Sequence, residues 1–455
     1  MQSDESSAVS EMILFVVIEV RGVNRLRREF LSLPAVAFLA GCLGGRSESG
    51  SETRTDRQGR DYDIIEGKYF AANGAGMPFY DIIQPQGLYV DTTHSTYVVW
   101  QGKGIASYIC EYSHKDKSWG SSVKIRDHPA EADYHGGPSL VRDQDGYIHV
   151  FYGSHGSNQL YSRSKSPDDI TAWEHRASFE GGFTYPKPVV VDGRLHLFMR
   201  RNEGGPYNVE THYRSKDNGE NWQGGEVIID HGEGWTVYTG GIATRGDEIH
   251  LGWVAHDHET GKRLNVYHAR LNPATGNLRA ADGTDIGSRV SADEAEAVCK
   301  VFDSGESQCS TVRCKFDRKG ALYLFFKHND PSEGWVLKWT KWDGSSWRTP
   351  QTITSVGHKY NSHEEIVSTA SDIKAYVTCS DRGRRSGKLQ RLEYDGSEWS
   401  LIEQFRSSDD GVGINNPQIV RNHVNELEVV FAEEDYEDIE NGDLRTFAYG
   451  EGGFV

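Results

Sequence analysis

A single kind of strand returns seven times along this chain: "STYVVW", "GYIHVFY", "GRLHLFM", "DEIHLGW", "ALYLFF", "KAYVTC" and "ELEVVF". Anchoring on Tyr97, His149, His196, His250, Tyr323, Tyr376 and Glu428 gives spacings of 52, 47, 54, 73, 53 and 52 residues. The step of 73 implies an insertion, the segment "ATGNLRAADGTDIGSRVSADEAEA". Tryptophan follows the anchor by 22 to 26 residues in five repeats, at Trp119, Trp173, Trp222, Trp347 and Trp399. A repeat of four short strands cannot bury its own sheet, so neighbouring repeats must stack. The expectation is an all-β chain, a seven-bladed β-propeller over residues 62–455. The last repeat stops soon after "LRTFAYGEGGFV", one strand short, and the early "DYDIIEGKYF" is expected to supply that strand and close the ring. The turn "SKDNGENW", Ser215 to Trp222, has the S-x-D-x-G-x-x-W pattern of an Asp-box. It is read as structural, Asp and Gly shaping the turn and Trp packing between blades.

The N-terminus carries a different message. In "RLRREFLSLPAVAFLAGCLGG" a twin arginine, Arg27-Arg28, precedes a short apolar run and Leu39-Ala40-Gly41-Cys42. That combination reads as a twin-arginine export signal joined to a lipobox, with Cys42 bearing the lipid. Residues 1–22 fit this signal awkwardly, and translation is expected to start at Val23. Residues 43–61, polar and rich in Gly and Ser, read as a flexible tether. Membrane contact is expected only through the lipid on Cys42, and the protein is expected at the cell surface or secreted, as a monomer.

The formal net charge of −18 excludes nucleic acid as a partner, since phosphate binding needs a basic surface. It also means that an anionic substrate requires a local basic pocket. The five cysteines beyond Cys42 (Cys110, Cys299, Cys309, Cys314 and Cys379) are odd in number and irregular in spacing, which is no disulfide framework.

In each repeat the start of the first strand and the end of the second should lie on one face of the ring. The first set holds His135, Tyr185, Tyr238, Cys309, His363 and Asn415; the second holds His155, Arg200, His256, Lys327 and, less clearly, Asp381 and Glu433. The anchor histidines His149, His196 and His250 sit mid-strand and read as a repeated packing solution. The polar set offers the parts of a proton-transfer site. Breaking a uronic-acid polysaccharide by β-elimination needs a group to quiet the C5 carboxylate, a base for the C5 proton and an acid for the leaving O4. The planar fork of Arg200 suits the first role. A neutral histidine or a tyrosinate suits the second and a tyrosine hydroxyl the third, with no cofactor required.

The run "YHGGPSLVRDQDGYIHVFYGSHGSNQLYSRSKSPDDITAWE", followed by "TYPKPVVVDGRLHLFMR", resembles the BNR-repeat propeller family that contains the seven-bladed ulvan lyases. The resemblance spans residues 62–455 at the level of repeats and is sharpest from His135 to Arg200. It implies a polysaccharide lyase acting on an anionic, uronic-acid-containing polysaccharide. It carries its active-site set onto His135, His155, Tyr185, Arg200, Tyr238 and His256. The proton-transfer pair is expected to be His135 with Tyr185 or Tyr238, and Lys327, His363 and Asn415 are expected to bind substrate beside His256. The sequence departs from the family at "YHGG", where Asn often follows His. Some of these lyases hold a structural metal, zinc or calcium; Cys309 and His363, at adjacent first-strand starts, are the pair to inspect, although the spacing fits no standard zinc motif. Two other readings share the architecture. A sialidase-like glycoside hydrolase would need an arginine triad, of which only Arg200 is evident, and a non-catalytic carbohydrate-binding propeller would use the same tyrosines and histidines to hold sugar.

Overall fold

The computed structural model describes residues 51–55, 60–74, 85–127, 135–381, 387–407, 412–435 and 443–455, all within one unit, Ser49–Val455. The export signal, Cys42 and most of the tether lie outside the described residues, as does Tyr134. The described chain is mostly strand, with a short helical passage at Ala292–Cys299 inside the long fourth repeat and one 3-10 turn at Lys103–Ile105.

Each repeat forms an antiparallel meander. The third runs Phe179–Val191, Arg194–Gly204, Tyr207–Ser215 and Gln223–Ile229, each strand pairing with the next. The second, fifth and sixth have the same order. The anchor strands are apolar because both of their faces are covered: every residue of Ser95–Gln101 and Ile148–Tyr152 is buried. What covers them is the neighbouring repeat. Leu88, Val99 and Ile109 of the first pack with Leu140, Val150 and Leu160 of the second. Similar clusters join the second to the third, the third to the fourth and the fourth to the fifth. They continue from fifth to sixth and sixth to seventh. One more joins the seventh to the first, where Val420 and Val430 meet Tyr89 and Val98. In the same place Arg421 pairs in parallel register with Leu88.

The early segment does not do what its sequence suggested. Asp61–Glu66 adds in parallel to Trp399–Arg406, as an extra strand on the sixth repeat. The seventh repeat's missing strand comes instead from Ala71–Gly74, antiparallel to Leu444–Gly450. Phe70 anchors it by stacking on Trp119, with ring centroids 4.0 Å apart. The apolar side chains explain the difference, because Ile64 and Ile65 bury against the sixth and seventh repeats while Phe70 and Ala71 bury against the first.

The Asp-box turn is structural, as expected. Asp217 accepts from Ser215 and from the backbone and side chain of Asn221. Trp222 lies edge-on to Phe151, Tyr161 and Phe179, between the second and third repeats. Gly219 sits at φ +76° with its α-carbon facing Tyr161, whose hydroxyl would stand 2.0 Å from an added Cβ. Gly219→Ala adds left-handed strain to this overlap and should cost about 2–4 kcal/mol in urea unfolding. A loss below about 0.5 kcal/mol would show that the turn is free to move.

The anchor histidines are packing groups. His149 bridges Tyr161 (2.6 Å) and Asp143 (3.0 Å); His196 pairs with His212 and His250 with His268. Burial draws His196 and His250 down to about 4, so both are neutral over the physiological range.

Candidate active site

The site is built by cross-strand register between the second and fourth repeats. The third strand of the second repeat, His155–Ser166, pairs at its start with Phe179–Val191 of the third, opposing His155 to Thr184. Thr184 in turn opposes Arg200, and Arg200 opposes Glu210. Residues that oppose one another across a sheet share a face, so one row holds His155, Thr184, Arg200 and Glu210. His135 reaches the row through a close backbone approach. Gly153 donates to the Gly136 carbonyl at 2.7 Å, and a Cβ on Gly136 would stand 2.8 Å from the Gly153 α-carbon. This is what the glycine of "YHGG" supplies. The His135 ring consequently stacks on His155, centroids 3.9 Å apart and planes 15° from parallel.

Tyr185 enters through a bulge. Strand register shifts between Thr184 and Lys187, and Tyr185 takes φ +59°. A β-bulge re-aims one side chain at the cost of a strained backbone. Comparable register shifts and positive φ values recur in the fifth and seventh repeats at Thr311 and Asn416. Beneath the bulge the ammonium of Lys187 donates to the Tyr185 carbonyl at 3.1 Å and to Glu210 at 2.9 Å. Burial lowers the Lys187 ammonium and raises the Glu210 carboxyl, each opposed by the other's charge.

The tyrosines and arginines interleave. Arg200 lies 4.7 Å from the Tyr185 ring and 5.0 Å from that of Tyr238; Arg263 lies 4.1 Å from the Tyr238 ring. Burial raises the Tyr238 hydroxyl, but the charges of Arg263 and then Arg200, with hydrogen bonds from both, outweigh it, and its pKa is lowered. The two guanidiniums thus favour the phenolate form of Tyr238. His256 follows, 6.2 Å from Tyr238, opposing both Thr236 and Arg263 in register, with the His258 ring 4.4 Å away and tilted by 33°. Burial, with Arg263 and His258 nearby, brings His256 down to about 4, so it is neutral. Among the described residues neither Arg200 Nε nor His256 Nδ1 has a hydrogen-bond partner.

His135, His155, Tyr185, Arg200, Tyr238 and His256 therefore meet in one continuous arc. Lys327, His363 and Asn415 do not join it; all three are fully buried. Lys327 donates to the carbonyls of Lys359 (2.7 Å) and Asn361 (2.8 Å), and Asn415 donates to Glu434 (2.7 Å) and more weakly to the Tyr360 carbonyl. Together they hold the 358–361 loop, which brings Tyr360 to 5.9 Å from Arg263. His363 is bonded to Glu365 at 2.6 Å. Cys309 lies in the apolar cluster of the fourth and fifth repeats, and among the described residues no group of three or more His, Cys, Asp or Glu is arranged to hold a metal ion. Glu433 is tied to Arg445, and Asp381 is exposed. Arg263 and Tyr360 are the site's additions to the sequence reading. Arg263 opens the third strand seven residues after His256, a position the repeat comparison did not sample.

Residues 95–354 match the model of a family described as BNR repeat-containing family members. An ulvan lyase of Alteromonas sp. (strain LOR) is 23% identical over 435 residues, covering 84% of this chain and 87% of that protein. One of Pseudoalteromonas sp. (strain PLSV), named Ulvan Lyase-PL25, is 23% identical over 437 residues, covering 85% and 86%. A solved PL25 ulvan lyase bound to -[GlcA(1-4)Rha3S]- superposes with a TM-score of 0.73 at 20% identity, over 85% of this chain and 96% of that one, so the fold is shared.

Proposed function

This chain belongs to the BNR repeat-containing family, and from that premise we propose that it is a polysaccharide lyase that cleaves ulvan by β-elimination at the uronic acid. The observation that carries the reading is Tyr238 with two guanidiniums within 5.0 Å of its ring, Arg200 being shared by both tyrosines. The Arg200 fork grips the C5 carboxylate and disperses the charge that grows on it as the C5 proton leaves. Tyr238, as phenolate, takes that proton. The C5–H electrons form the C4–C5 double bond, the C4–O4 bond breaks, and O4 leaves with a proton from the His135–Tyr185 side. His155 holds the His135 ring by stacking, and neutral His256 hydrogen-bonds the sugar. We read the seven meanders as blades of a closed propeller; the apolar cluster between seventh and first repeats supports this. We also propose export through Arg27-Arg28 with a lipid on Cys42, which metabolic labelling with palmitate would report.

The test is incubation with ulvan while following absorbance of the unsaturated uronyl product. New saturated ends without that absorbance would point to a hydrolase, and binding without new ends to a carbohydrate-binding module. A second test concerns Arg263. Its charge favours the Tyr238 phenolate, so Arg263→Gln raises the pKa of the base. The acidic limb of the kcat/KM profile should move to higher pH, with rate lost at neutral pH and recovered in alkali. A uniform loss at every pH would remove Arg263 from this role.

A further inference from the structure

At the opposite end of the third repeat from the arc, a cleft of about 260 Å³ opens between the Asp-box turn and the fourth repeat. Arg194 begins the strand that carries Arg200, and six residues at about 3.3 Å each set the two about 20 Å apart. Arg214 lies on the next strand, opposite His196, and Lys216 stands in the Asp-box turn itself. These three cations share the lining with one carboxylate, Asp217, which already accepts from Ser215 and from the backbone and side chain of Asn221. Among the described residues none of the three forms an ion pair. The turn holds a second acid, but Glu220 does not line the cleft and is committed to Arg163 and Arg176. Cations therefore outnumber acids here, in a chain whose net charge is −18. The charges of Arg194 and Arg214 both act on His196, which places the two guanidiniums in one field. Like charges gathered this way repel one another, and a bound anion removes the repulsion. Arg194 and Lys216 are exposed and Arg214 is half-buried, so their heads are open to a ligand. The exposed amide of Gln223 offers hydrogen bonds to hydroxyls, and Pro273 and Ala274 form an apolar wall whose turn is held by Asn272. Guanidinium forks match sulfate and carboxylate groups, while an amide and an apolar wall suit a sugar ring. The cleft is slightly smaller than the roughly 300–1,000 Å³ of most small-molecule sites, so it takes one charged sugar residue of a chain that continues into solvent.

We propose that this cleft is a second binding site for an anionic polysaccharide, holding one charged group of the chain among Arg194, Arg214 and Lys216, apart from catalysis. The choice of ligand rests on the lyase activity proposed above. A polymer long enough to reach both ends of the repeat is held twice, and the second contact forms at the effective concentration set by the first. The double variant Arg194→Gln/Lys216→Gln removes two exposed charges and leaves the arc untouched. The first measurement is retardation on native gels cast with ulvan, corrected for mobility without it. The variant should bind the polymer about 3–10-fold more weakly. A control that removes equal charge elsewhere, Lys319→Gln/Lys388→Gln, both exposed, should bind as the wild type does. The second measurement is kinetic. The KM on long ulvan should rise by the same factor with kcat unchanged, and the rate on tetrasaccharides, which occupy the arc alone, should stay the same. Retardation kept in the double variant, an equal loss in the control, or an equal loss on tetrasaccharides would overturn the proposal. Wild-type protein that binds inorganic sulfate in a calorimeter but is not retarded by the polymer would make this a small-anion site and overturn it too. If the wild-type protein eliminates nothing from ulvan, the activity proposed above fails, and the gels still decide this site.

Discussion

Tyr238→Phe should lower kcat/KM on ulvan by about 10³-fold or more, with little change in Tm. The substitution removes one oxygen and keeps the ring that Arg200 and Arg263 pack against. General-base catalysis is worth about 10²–10⁴-fold, and this base has no second candidate with the same activation. His256 is neutral and stands 6.2 Å from the Tyr238 ring, and His135 stands next to Tyr185, 6.3 Å from it. The comparison that gives the result meaning is Tyr185→Phe. If Tyr185 helps protonate O4, its loss should be repaired in part by substrates whose leaving group is a good one, such as an aryl glycoside. The loss at Tyr238 should not be repaired that way. A fall of less than tenfold for Tyr238→Phe would end its assignment as base.

Lys187→Met should be the most destabilising single change near the site, by about 3–5 kcal/mol at neutral pH, because it leaves a buried carboxylate alone. Glu210 is fully buried, and Lys187 is the charge that opposes its desolvation first. Without the ammonium the carboxyl is raised further in the folded state. The folded variant then holds a proton that the unfolded chain gives up, so its stability falls as pH rises from the ordinary carboxyl value toward the raised one. Urea unfolding should show the deficit shrinking on acidification. Lys187→Met/Glu210→Leu should recover most of the loss, since an apolar pair replaces a buried ion pair at little cost. A single variant as stable as the wild type at every pH would mean that solvent reaches Glu210.

Much of the arc was legible because the repeats keep register at their mouths: His135, His155, Tyr185, Arg200, Tyr238 and His256 were found by counting from the anchors. The same counting placed Lys327, His363 and Asn415 at a surface they do not reach. The cause lies in their partners. Single-residue bulges stand alike at Tyr185, near Ser310 and near Asn415, but Lys327 and Asn415 bond to the 358–361 loop and His363 bonds to Glu365. No periodicity in the chain announces them. Arg263 escaped for another reason, since only two of the four strand ends in each repeat were compared. The early strand was assigned to the right end of the molecule but the wrong sheet, because its pairing is decided by which hydrophobic cleft each side chain fills.

The pairing of Ala71–Gly74 with Leu444–Gly450 sets a clock on synthesis. Ala71 meets Thr446, about 375 residues later in the chain. At roughly 5–20 residues per second, Phe70 and its neighbours wait about 20–75 s for their partner to emerge. During that interval six meanders can form from local contacts, yet the first repeat presents an uncovered apolar face and the sixth an open edge. Those surfaces are the ones on which a nascent chain would pair with its neighbour on the same message. The sheet of the seventh repeat can therefore be completed only after Leu444–Gly450 has been made, although its fourth strand is among the first parts of the fold to emerge.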